Sequence, residues 1–153
     1  MGDYFVMSKR FNKTTASDFG FIYNDECTAI NPKDKSVWRK HPLYDLGWGR
    51  ENGFYKEPLP GFDGLIHLVL HSANYEDVYG AAAIILEKYT DNLLLICEKL
   101  ANDCLSQSEF VKLVEPFDLT SSMNRSSICG KTYAQIQDDY KRWERISKLA
   151  RNL

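Results

Sequence analysis

The feature that most restricts the fold is a change of pattern at Phe62. Across residues 37–62, large aromatics (Trp38, Tyr44, Trp48, Phe54, Tyr55, Phe62) are interleaved with the breakers Pro42, Gly47, Gly49, Gly53, Pro58, Pro60 and Gly61. Beyond Phe62 the breakers thin out. Apolar residues then recur three and four apart, the period of a helix packed on one side. No apolar run approaches the ~20 residues a membrane-spanning helix needs, so no membrane partner is expected. At 153 residues, with 44% hydrophobic and 26% charged side chains, the chain is long enough to bury a core of its own and too aromatic to be disordered.

The pattern predicts a mainly α fold over 1–153 as a single domain, a helical bundle with an irregular, partly β N-terminal region at 1–61 and a helical part at 62–153. Short β-prone runs occur at 3–7, 19–23 and 27–30, separated by turn-formers such as Asn31-Pro32-Lys33-Asp34. The stretch from Val37 reads as an ordered loop pinned by its aromatics. A first helix is expected over 62–73. A second, capped by Asn74, runs to residue 89, and its Gly80, Ala81, Ala82 and Ala83 would admit a close neighbouring helix. A third covers 91–105 with Leu93, Cys97, Leu100 and Cys104 on one face. Ser106-x-x-Glu109 and Thr132-x-x-Gln135 are capping-box patterns for a short fourth helix and a last one reaching 151. The last helix would bury a stripe of Tyr133, Ile136, Tyr140, Trp143, Ile146 and Ala150.

Charge is unevenly distributed. Residues 1–56 carry a net +2, 57–115 a net -7, 116–130 zero and 131–153 a net +3. An acidic surface repels nucleic acid and steers a basic protein toward itself. The cations of the last helix are interrupted by Asp138, Asp139 and Glu144, with Asp138 and Arg142 spaced to pair, so nucleic-acid binding is not expected. The segment lacks the basic-then-apolar layout of a secretory signal, and the Met-Gly start lacks a Ser or Thr at position 6. Cys27, Cys97, Cys104 and Cys129 are too few and scattered for a disulfide scaffold. They read as reduced, mostly buried thiols of a cytoplasmic protein.

Little of the chain suggests catalysis, and no cofactor is expected. His67 and His71 stand four apart and share one helix face, a spacing that suits a metal, with Glu76, Asp77 or His41 as further ligands. Leu68 occupies the place of the Glu that a metalloprotease helix needs. Gly47-x-Gly49 with Arg50 lacks the Lys-Ser/Thr ending of a phosphate loop, and Cys129 before the last helix has no neighbouring base. A small metal-dependent enzyme using His67 and His71 is therefore the alternative reading. The leading one is a protein-binding surface. Trp48, Tyr55, Tyr75 and Tyr79 would anchor it, and Glu76 and Asp77 would steer a basic partner.

Residues 64–103 resemble a HEAT- or armadillo-type helical repeat: an apolar helix, a short turn with Asp77, then Val78-x-x-Ala81-Ala82-x-x-Ile85-Leu86 on the packing helix. That resemblance implies HEAT-like helical hairpins stacked into a scaffold. The profile as a whole is similar in style to the small immunity proteins of bacterial toxin systems. It implies a non-catalytic, cytoplasmic inhibitor that covers a basic toxin or nuclease. A helical adaptor or oligomerisation module, built on the aromatic stripe of the last helix, is the remaining alternative.

Overall fold

The computed structural model of the chain describes residues 1–8, 14–43 and 52–153. Strands β1 (Phe5–Met7), β2 (Ile22–Tyr23), β3 (Thr28–Ile30), β4 (Val37–His41) and β5 (Gly53–Lys56) precede helices α1 (Phe62–His71), α2 (Tyr75–Lys88), α3 (Thr90–Asn102), α4 (Gln107–Val114) and α5 (Tyr133–Arg151). The strands form one antiparallel sheet in the order β1-β5-β4-β3-β2. The fold is thus α/β, a five-stranded sheet followed by five helices. The helical half matches the expectation, and the N-terminal region expected to be irregular and partly β holds a sheet, with β1, β2 and β3 inside the β-prone runs. Its two longest strands, β4 and β5, lie in the stretch read from sequence as a loop. The chain divides into two compact units, Met1–Ala83 and Ile84–Leu153.

In the first unit, register sorts the side chains. Phe5, Tyr55, Arg39 and Thr28 stand in one cross-strand row, and Val6, Phe54 and Lys40 in the next, on the opposite face. The second face is buried. Val6, Ala29, Trp38 and Phe54 pack with Ala16 and Phe21 from the 3-10 turn at Ala16–Phe19 and the residues after it. Phe21 stacks on Trp38 with ring centres 5.0 Å apart and meets Phe54 edge-on at 5.9 Å. Trp38 and Phe54, two of the aromatics set among the breakers, are therefore part of a sheet core. The Asn31–Asp34 turn joins β3 to β4, and Asn31 Oδ1 and Asp34 Oδ1 accept the amides of Lys33 and Ser36.

In the second unit, α3 buries Leu93, Leu94, Cys97 and Leu100, and α4 buries Phe110 and Leu113. Thr132 caps α5 as its spacing predicts: Thr132 Oγ1 accepts the Gln135 amide at 3.2 Å, and Gln135 Oε1 accepts the Thr132 amide at 2.8 Å. The buried stripe of α5 differs from the predicted one. It holds Asp139, Trp143, Ile146, Ser147 and Ala150, while Tyr133 and Tyr140 are exposed. Polar partners cause the rotation. Ser147 Oγ donates to the Ser121 carbonyl at 2.9 Å, and Trp143 Nε1 donates to Ser126 Oγ at 2.8 Å. The Arg125 guanidinium lies 5.1 Å from the Trp143 ring and donates to the carbonyls of Phe117, Met123, Asp118 and Ser121. Burial pushes the Arg125 pKa down, yet the cation stays where four carbonyls need it.

Candidate protein-binding surface

The acid pair expected to face a partner is turned inward. Asn74 Oδ1 accepts the amides of Glu76 at 2.9 Å and Asp77 at 3.2 Å, which starts α2 and aims both carboxylates at β1. Asp77 Oδ2 accepts the Asp3 amide at 2.9 Å; its Oδ1 accepts the amides of Tyr4 at 2.9 Å and Phe5 at 3.0 Å. Glu76 Oε2 accepts the Met7 amide at 2.7 Å. β1 is an edge strand. The Tyr4 carbonyl and the Ser8 amide bond toward Lys56 and Asn52, so the Phe5 and Met7 amides point outward, and the acids take both, along with the Asp3 and Tyr4 amides just before the strand. Asp77 is only 2% exposed. Its carboxylate therefore closes a sheet edge and is turned away from solvent. Glu76, half-buried, shares that work.

Packing reinforces the contact. A Cβ on Gly80 would collide with the Phe5 ring, and one on Gly2 would strike Asp77 Oδ1. The small residue at position 80 thus admits a strand's phenylalanine rather than a neighbouring helix. The other proposed anchors stay near the surface: Tyr75 is exposed, Tyr79 half-buried, and their rings lie 4.5 Å apart. Tyr55 is half-buried on the sheet face that carries Phe5, with its ring 5.7 Å from His41, beside the Arg39–Glu57 ion pair. Trp48, and the Gly47–Gly49 motif with Arg50, lie outside the described residues.

Two further acids of the block, Asp91 and Glu98, are answered by Lys131 and by Arg142 of the last helix. Lys131 Nζ bridges Asp91 at 2.9 Å and Asp139 at 2.7 Å. Arg142 grips Glu98 through Nε at 3.0 Å and through Nη2, and reaches Asp139 at 3.6 Å. Hydrogen bonds from Asp139 and then Asp91 raise the Lys131 pKa, and the Glu98 carboxylate raises that of Arg142. Arg142 therefore pairs with Glu98 and Asp139, and the i,i+4 partner Asp138 is not the one it takes. No family model, curated protein or solved structure matches the chain.

Negative charge stays outward over residues 103–118, where Asp103, Glu109, Glu115 and Asp118 outnumber Lys112 for a net -3. Here the 3-10 turn Cys104–Ser106 presents Leu105 at 94% exposure, the most exposed large apolar side chain among the described residues. The turn is fixed by Asp103, whose Oδ1 accepts the Leu105 amide at 2.9 Å and whose Oδ2 accepts the Ser106 hydroxyl at 3.0 Å. Val111 on α4 and Leu95 on α3 are also exposed, at 49% and 62%. Sequence reading took Leu105 as the end of α3. The Asp-x-Leu-Ser turn that stops the helix was its available signal.

His67 and His71 do share a face, both exposed, with rings 4.6 Å apart. The carboxylates offered as further ligands are the ones bound to β1, His41 lies in β4, and no group of three or more metal-ligating side chains occurs among the described residues. Of the cysteines, Cys97 alone is buried, and burial pushes its thiol up to about 12; Cys27, Cys104 and Cys129 are exposed, against the expectation of mostly buried thiols. No helix of the described residues is long and apolar enough to cross a membrane.

Proposed function

We propose that the chain is a non-enzymatic protein-binding domain of the immunity type, a cytoplasmic inhibitor that covers a basic toxin or nuclease. The observation that carries this reading is the Leu105 turn: a leucine 94% exposed, held on a hydrogen-bonded turn, inside a stretch of net charge -3. A nuclease presents cations to phosphate, so an acidic surface with an apolar centre complements it in charge and excludes water at the contact. The docking surface is accordingly residues 103–118, with Glu109 and Glu115 as steering groups in place of Glu76 and Asp77.

Affinity capture from a lysate of the source cells, washed at low and high salt, tests it. The wild-type chain is expected to retain one basic protein in stoichiometric amount at low salt and release it at high salt. Leu105→Asp and the double variant Glu109→Lys/Glu115→Lys should each lose that protein. Stoichiometric retention by both variants would show that this surface is not the docking site, and a retained acidic protein would refute the charge argument.

A further inference from the structure

We propose that this chain pairs with a second copy of itself about a two-fold axis, Leu105 of each copy entering the groove between α3 and α5 of the other. That groove, of about 340 Å³, is lined by Ala101, Ile146 and Leu149, which suit an aliphatic side chain, and by Asn102 and the cations Arg145 and Lys148. Arg145 has no ion pair among the described residues, and Lys148, 64% exposed, reaches only Glu144 at 3.9 Å. The wall is rigid because Arg142 is clamped to Glu98.

The knob stands next to the hole. Leu105 follows Asn102 by three residues, a span of at most about 10 Å of chain. Leu105 nevertheless remains almost fully exposed, so it does not fill the groove of its own copy. An isologous interface requires one patch to be complementary to itself. This patch meets the condition twice over. A protruding leucine stands three residues from Asn102, which lines the groove, and the acids of its turn and of α4, Asp103 and Glu109, are opposite in charge to the groove's Arg145 and Lys148. In the pair, each Leu105 would lie on the other copy's Ile146 and Leu149, with its flanking acids against that copy's Arg145 and Lys148.

The pairing uses the turn on which the proposed function rests but not the partner, so the two stand or fall separately. If both hold, a basic partner must compete with the second copy for Leu105.

Sedimentation of the full chain across micromolar to millimolar concentrations tests the pairing, with thermal unfolding as the check that each variant is folded. The wild type is expected to pass from monomer to dimer. Leu105→Asp and Arg145→Glu/Lys148→Glu should each weaken the dimer by on the order of a hundredfold, since two leucines leave their grooves. An equimolar mixture of the two variants should associate better than either alone, because one intact leucine meets one intact groove. A strict monomer throughout the range for the wild type would overturn the proposal. So would a dimer that the folded Leu105→Asp chain still forms with wild-type affinity, or a mixture no better than its components.

Discussion

The two units dispose of their acidic residues in different ways. In the first, Asp77 accepts the backbone amides of Asp3, Tyr4 and Phe5, partners without net charge, at 2.9–3.0 Å, and Glu76 divides its carboxylate between the Met7 amide and the N-terminal ammonium of Met1. In the second, Asp91, Glu98 and Asp139 meet Lys131 and Arg142, full cations that are partly exposed. The first arrangement removes charge from the surface and replaces the missing neighbour of an edge strand. The second leaves charge near the surface but balances it. An excess of acid in a sequence is therefore no measure of an acidic face. In this chain Glu76, Asp77, Asp91 and Glu98 of the block of net -7 are taken up by such partners.

The sharpest way to break this comparison is Asp77→Ala. It strips three amides of a buried acceptor and should lower the unfolding free energy by about 3–5 kcal/mol, since bonds to a charged group and unsatisfied buried donors both count. Urea denaturation measures it, and a loss below about 1 kcal/mol would mean the sheet edge does not depend on the carboxylate. Gly80→Ala comes next. Alanine improves helix propensity by about 1 kcal/mol, but its methyl collides with the Phe5 ring, a cost of about 1–3 kcal/mol. Net destabilisation is expected. If the variant is more stable than wild type, the contact between β1 and α2 is looser than described.

These contacts explain what could be read from the sequence. The helices were legible because their signals are local: the apolar period, Asn74 as a cap, and the reciprocal Thr132–Gln135 box. β4 and β5 were not. β4 (Val37–His41) places only Trp38 in the core, so it shows no alternation of buried and exposed apolar residues. β5 opens on Gly53, whose place is set by close approach of the Val6 carbonyl, 47 positions earlier. The fate of Asp77 is non-local too, since the amides it accepts lie 72–74 residues away. Near an N-terminus of a helix an acid reads as a dipole partner in solvent. The one local hint was Gly80 in mid-helix, a residue that marks close approach of another group. Leu105 was missed for the opposite reason. Apolar spacing extends α3 through it, but Asp103 captures its amide and ends the helix first.

The smallest expected effect sharpens the contrast between the two kinds of acid partner. A double-mutant cycle on Glu98→Gln and Arg142→Gln isolates their coupling from the other charges of the cluster. Partly exposed pairs contribute about 0.2–1 kcal/mol, and the two-point grip of Arg142 on Glu98 places this one near the upper end. Screening then separates it from Asp77. Raising salt from 0.1 M to 1 M shortens the Debye length from about 10 Å to about 3 Å, so the Glu98–Arg142 coupling should shrink by roughly half. The cost of Asp77→Ala should stay constant, because buried bonds to neutral amides are little screened. Equal salt dependence of the two would erase the distinction: Asp77 would then act through its charge toward solvent, and the inward-turned carboxylate would have to be abandoned.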